Sequence, residues 1–438
     1  MPIIFFKMNL KTIPMKRLSI LALCCFALTV ACKNGTEKSG SYPTQLTFGP
    51  GEEEKIEEAF LSLKDSTEIY LKEGNYKFQN LSIAQVNHIL IHGAGPKKTI
   101  LDFKDQKQGG EGIRVTDVSN FKIQGLEIRD SKGDLLKINN GKDIVINDLH
   151  AIWSTADSTS GGYGIYPVLC SNVLIENCYA EGASDAGIYV GQTKGAIVRN
   201  SKAAKNVAGC EIENSTDAEV YDNEFYNNTA GFLVFDLPDL SQRGGRIKAY
   251  NNHIHDNNFK NFAKAGSFGT SWGVGNASPG SGVIILATSE VEIYNNKIEN
   301  NNSSAITIAS GFTVDDKAAE KINENYSPIP TQIKIHGNTI SMGKEFPKPA
   351  YEHRVGQLII ATEQQLNAMH PDRTNKRIPA ILYDGVTSNI MSQGTDPNPD
   401  KLCINQPGEN MFVNADFANV KNPANWKPNT NMDPFACK

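Results

Sequence analysis

Apolar residues in this chain fall in short alternating runs, and the runs themselves recur. Units begin Gly164-Ile165-Tyr166, Gly187-Ile188-Tyr189, Gly209-Cys210-Glu211 and Gly231-Phe232-Leu233, a period of 22 to 23 residues. Each unit carries a second apolar pair about ten residues on, such as Val173 and Ile175, followed by an Asn. A fixed period in this range marks a stacked architecture. Upstream, Ile113 to Thr116, Phe121 to Ile123 and Leu126 to Ile128 fill one turn. Leu135 to Ile138, Ile144 to Ile146 and Leu149 to Ala151 fill the next. Three short alternating strands per turn predict an all-β right-handed parallel β-helix, a solenoid of coils of about 22 residues.

Alternation assigns sides. In the first strand of each turn Ile113, Leu136, Ile165, Ile188, Cys210, Phe232, Val283 and Ile306 are expected inside. Arg114, Lys137, Tyr166, Tyr189, Glu211, Leu233, Ile284 and Thr307 are then expected outside, with Thr116, Asn139, Gln192, Glu213 and Phe235 as a second outward row and Asp236 at its end. Asn147, Asn177, Asn200, Asn223, Asn252, Asn296 and Asn338 are expected at one corner, as a hydrogen-bonded ladder. Breaks in the period at 153–162, 237–246, 259–280 and 311–330 place loops around the outward strip, where function tends to sit. Trp153 and Trp272 lie in such loops.

The expected organisation is a signal segment over 1–31, a flexible linker over 32–50, and a helical N-terminal cap with the first coils over 51–111. Repeats follow over 112–341, then a C-terminal cap and tail over 342–438 with a helical candidate at Glu363–Met369. In the cap Ile56, Phe60, Leu61 and Leu63 share one helical face. The segment with Lys16-Arg17, the apolar run Leu18–Val30 and Ala31-Cys32 resembles a bacterial lipoprotein signal, with Cys32 lipidated after cleavage. That resemblance implies the bacterial cell envelope, with a lipid anchor in the outer membrane, facing the periplasm or the surface. In such a compartment Cys403 and Cys437 are candidates for a disulfide. Cys170, Cys178 and Cys210 are expected as small buried hydrophobes.

The 438 residues are 39% hydrophobic and carry a net charge of −5, which argues against a nucleic-acid partner. No Cys-x-x-Cys or Cys/His spacing suggests zinc, no metal or cofactor is expected, and calcium stays open without any residue pattern that indicates it. His253 and His255, flanking one strand residue, are expected as one surface and one loop-supporting side chain.

The outward strip mixes rings, acids, amides and cations, which suits sugar. Glu211, Glu213, Asp236 and Asp185 are the candidate acids and bases. Tyr166, Tyr189, Gln192, Lys137, Arg243 and Arg246 are the candidate binding groups. Arg246-Ile247-Lys248 matches a tripeptide of polygalacturonases, but their Asn-Thr-Asp and Gly-His-Gly segments are missing.

The layout from Gly51 to Ile340 resembles the pectate-lyase-like superfamily of parallel β-helices. Tyr163–Pro167, Gly182–Gln192, Val207–Thr216, Leu233–Pro238 and Asn261–Ala263 resemble a family of exported bacterial β-helix repeat lipoproteins. The superfamily implies carbohydrate lyases, epimerases, hydrolases or non-catalytic binders, and no catalytic residue carries over. The expected function is a groove that binds a polysaccharide, with cleavage or epimerisation as one branch. The alternative is a non-catalytic structural or docking module for another exported protein.

Overall fold

The computed structural model describes residues 42–264, 273–346 and 350–437. Cys32, the signal segment and Trp272 lie outside them. Three parallel sheets run the length of the stack, each adding one strand per coil. The first sheet passes through Leu81–Ala84, Ile165–Val168, Ala186–Gly191, Ala208–Glu213, Ala230–Phe235, Ser281–Leu286 and Ser304–Ala309. The second includes Ser171–Glu176, Lys194–Arg199 and Thr216–Tyr221, and the third Tyr179–Glu181, Lys202–Ala204 and Glu224–Tyr226.

The period-2 alternation is realised in register. Ile113, Leu136, Ile165, Ile188, Cys210, Phe232, Val283 and Ile306 form one inward column, and each is 0% exposed. Among the described residues the free cysteines Cys170, Cys178 and Cys210 are all buried. The recurrent Gly has a steric cause. A Cβ on Gly164, Gly209 or Gly282 would lie 2.5 Å from a main-chain carbonyl of the adjoining coil.

The Asn ladder exists but sits one residue away from part of the expected row. Asn223, Asn252 and Asn296 each donate their main-chain N–H and Nδ2 to the Oδ1 of the next Asn, ending at Asn338. Cys178 and Ser201 begin this row and Gln406 closes it. Asn177 and Asn200 instead occupy the preceding left-handed position, at φ +56° and +49°, and Asn147 lies in the strand opposite Glu176. A short amide side chain tolerates that bend, so the two neighbouring rows share a residue type for different reasons. A second buried ladder, Asn206, Asn228, Asn257 and Asn301, lines the corner before the first sheet.

The ends differ from expectation. Thr44–Phe48 is a strand paired with Thr67–Leu71, so the stretch read as linker belongs in part to the cap. Helix α1 (Glu53–Leu61) buries Ile56 and Phe60 but leaves Leu61 exposed. Beyond 341 the stack continues: Ile381–Tyr383 and Phe412–Asn414 extend the first sheet, and Cys403–Asn405 the second. Cys403 and Cys437 are joined by a disulfide. The helical candidate is longer than expected, as α2 (Arg354–Met369).

Candidate functional site

The outward row of the first sheet runs Arg114, Lys137, Tyr166, Tyr189, Glu211, Leu233, Ile284, Thr307, Leu382 and Val413. It was expected to face solvent along its length, and it does not. Arg114 is exposed and Lys137 and Tyr166 are half-buried, but Tyr189 and Glu211 are 3% exposed and Leu233, Ile284 and Thr307 0%. The cause is a second apolar core. Phe262, Val274, Val314, Tyr326 and the Val355, Leu358, Ile359 face of α2 pack over this row. The strip is therefore open over its first coils and roofed from the Tyr189 coil onward.

Acids gather where the roof begins. Glu211 and Glu213 flank the inward Ile212 on one strand, so both carboxyls project to the roofed side. Tyr189 pairs with Glu211 across the ladder, and its hydroxyl donates to Glu213 Oε1 at 2.5 Å. Asp185 lies in the turn before the Tyr189 strand, near the Tyr163 hydroxyl, which opposes the rise of its pKa. The Tyr163, Tyr166 and Tyr189 rings pack together with centroids 4.4 to 4.8 Å apart. Lys137 sits 4.8 Å over the Tyr166 ring and 3.7 Å from Asp134, on the open side. Tyr163, Asp134 and Lys264, whose charge acts on Asp134 and Asp185, were missed in the sequence because they lie in turns and loops, outside the strand alternation.

The electrostatics follow from crowding acids where water is scarce. Burial drives the Asp185 carboxyl up to about 7, with the Glu213 charge adding to it and the Tyr163 hydrogen bond opposing. Burial also lifts Glu213 to about 7 against the Tyr189 hydrogen bond. Glu211 is held well above the carboxylate range by burial and then by the charges of Asp185 and Glu213. Among the described residues its Oε2 has no hydrogen-bond partner, as suits a carboxyl that keeps its proton. Burial and the neighbouring acids push the Tyr163 and Tyr189 hydroxyls far above 10, so neither is a base at neutral pH.

Gly191 makes this arrangement possible. A Cβ there would lie 2.3 Å from the Tyr189 hydroxyl and Cε1, so the ring lies over a backbone that offers no side chain. Gly191→Ala is expected to push Tyr189 off Glu213 and cost about 1–3 kcal/mol of stability. Urea unfolding checks this, and in a Tyr189→Ala background the added cost should largely vanish.

The remaining expected residues lie elsewhere. Glu213 pairs with Gly191 rather than Gln192, which falls one residue later at the corner, at φ +46°. Gln192 Oε1 accepts from Ser241 and so ties down the 237–246 loop. Asp236 is buried, is lifted by that burial to about 7, and accepts from the Gly244 main chain and Thr288, holding the same loop. Arg243 donates to Ser289. Arg246 pairs with Asp217 at 2.6 Å at a corner of the second sheet, away from the acids. Trp153 is buried and donates to the Ser131 carbonyl, so it belongs to the core.

Two other surfaces lie on the second sheet. A groove of about 660 Å³ crosses the second sheet over Val145, Leu174 and Ile197, but it is remote from the acid cluster. Farther along that sheet Tyr221, Tyr250, Tyr294 and His336 stack on one another at 4.9, 4.9 and 5.2 Å, so their faces are already used.

The model of the right handed beta helix region matches residues 67–236 and 111–277. No curated protein sequence matches the chain. Among solved structures, the A-module of a mannuronan C-5 epimerase from Azotobacter vinelandii is similar at 18% identity and a TM-score of 0.47. That match covers 67% of this chain and 84% of that one. An alginate lyase from Paenibacillus sp. gives 13% identity, 69% and 98% coverage and a TM-score of 0.48. An exopolygalacturonase from Thermotoga maritima gives 14%, 65% and 78% coverage and 0.40. The family match and the three in-register parallel sheets agree: this chain contains a right-handed parallel β-helix region.

Proposed function

We propose that this chain binds a polysaccharide along the open coils of the first sheet and cleaves a glycosidic bond at the Asp185, Glu211 and Glu213 cluster. The observation that carries the reading is three neighbouring carboxyls poised differently. Burial and two neighbouring carboxylates favour the protonated form of Glu211, while Glu213 and Asp185 are lifted to about 7. A protonated acid beside an ionisable one is the combination that glycoside hydrolysis requires. Elimination and epimerisation of a uronate fit less well. They need a base beside the sugar carboxylate and cations to hold that carboxylate. Here the tyrosines stay protonated, and neither Lys137, at the open side, nor Lys264, which acts on Asp134 and Asp185, is among the charges that bear on Glu211. A net acidic recess favours a neutral glycan. The roof makes the strip a dead end, which suits a chain terminus more than a chain interior.

The reading also places the protein at the bacterial cell envelope, lipid-anchored through Cys32. The disulfide between Cys403 and Cys437 supports an oxidising compartment. The test is a panel of neutral and uronate polysaccharides incubated with the full-length protein. New reducing ends from a neutral glycan, released from chain termini without unsaturated product, are expected. Neither binding nor product from any glycan would leave the docking-module alternative standing.

A further inference from the structure

The geometry points to a transition-metal site on the third sheet, built from His253, His255 and Glu224 and separate from the acid cluster of the first sheet. His253 and His255 flank the inward Ile254, so both imidazoles project from the same face of one strand. Their ring centroids are 3.9 Å apart. Glu224 lies directly opposite His253 on the preceding coil, and its Oε1 is 3.2 Å from His255 Nε2. One ligand atom from each of the three residues falls within 4.8 Å of the others, close enough to share one ion.

Three further features suit a metal. The other nitrogen of His255, Nδ1, is 2.7 Å from Asp256 Oδ2, the carboxylate–imidazole pairing that fixes the ring and leaves Nε2 as the ligand. Glu224 divides its oxygens, with Oε2 held by Lys202 Nζ at 2.6 Å and Oε1 turned to His255, so one-oxygen ligation leaves the ion pair intact. Glu299, on the following coil, stands 3.1 Å from His253 Nε2 and orients that ring. Glu224, Glu299 and Asp256 outnumber Lys202 and Lys297 in charge, so the patch attracts cations. Two imidazoles and one carboxylate select zinc, copper or nickel over calcium, which takes oxygen ligands. With side chains 17% to 35% exposed, the site is open to an ion from solution. Its ligands come from two coils, so no Cys-x-x-Cys-like spacing betrays it in the sequence.

The test is calorimetric titration of metal-stripped, full-length protein with ZnCl2 and separately with CaCl2. One zinc bound per chain, no calcium heat, and a zinc-dependent rise in Tm are expected. His255→Ala and Glu224→Gln should each abolish the zinc heat, and Asp256→Asn should weaken binding by about tenfold or more. His336→Ala, at an outward His on the second sheet, should leave it unchanged. Glu224→Gln keeps shape and size and so guards against a His variant that simply fails to fold. No zinc uptake, or uptake indifferent to His255→Ala and Glu224→Gln, overturns the assignment.

Discussion

Glu211→Gln is expected to lower kcat on a cleavable glycan by about a thousandfold, within the span that a positioned general acid contributes. Glu211 lies deepest among the acids and keeps its proton because its surroundings penalise the charge. An amide has the same size and neutrality, so the fold loses little, but it has no proton to give to a leaving oxygen. Glu213→Gln acts differently. It removes the ionisable partner itself, so kcat falls and the acidic limb of the pH–rate profile disappears, while the loss of one neighbouring charge lowers the Glu211 pKa. Tyr189→Phe removes the hydrogen bond that stabilises ionised Glu213, so the acidic limb moves to higher pH. Rate profiles of the three variants, with circular dichroism melts as the check on folding, separate these roles. Cleavage that survives Glu211→Gln at the native rate removes Glu211 from the chemistry.

Much of this site was legible in the sequence, and the reasons for the failures are physical. Period 2 placed Tyr166, Tyr189, Glu211 and Glu213 on one side of one sheet, because a strand leaves its side chains no other choice. The same outward row also carried Leu233, Phe235, Ile284 and Leu286. A sheet apolar on both faces is covered on both, and that was the available signal for the roof. Without the roof, Tyr189 and Glu211 were expected as surface groups; both are 3% exposed. Gln192 was misplaced by one residue because the strand ends at Gly191, and a one-residue slip changes the face. Tyr163, Asp134 and Lys264 sit in turns and loops, where alternation says nothing.

These buried acids are expected to make the protein lose stability steadily from about pH 4 up to about pH 7. The carboxyls of Asp185 and Glu213 have ordinary values of 3.8 and 4.5 and are lifted to about 7 in the fold. Between those limits the unfolded chain has released protons that the folded chain still holds. The native state therefore binds more protons, and its stability falls as pH rises. Below the ordinary values both states are protonated and the full contribution is present. Above 7 these two groups are ionised in both states and their loss levels off, while Glu211, raised by the same burial, contributes a decline of the same sign. One pKa unit corresponds to about 1.4 kcal/mol, so the two groups together set a loss on the order of a few kcal/mol, reduced by the half-exposure of Asp185 and by their coupling. Urea unfolding at pH 5, 6, 7 and 8 reads this directly. Glu213→Gln should flatten the slope and, at pH 8, stand above the native protein, because an amide never acquires the charge that the roofed recess resists. A native protein whose stability rises from pH 5 to 8 would mean that these acids are ionised and satisfied at neutral pH, and the acid–base reading of the cluster would fall with that result.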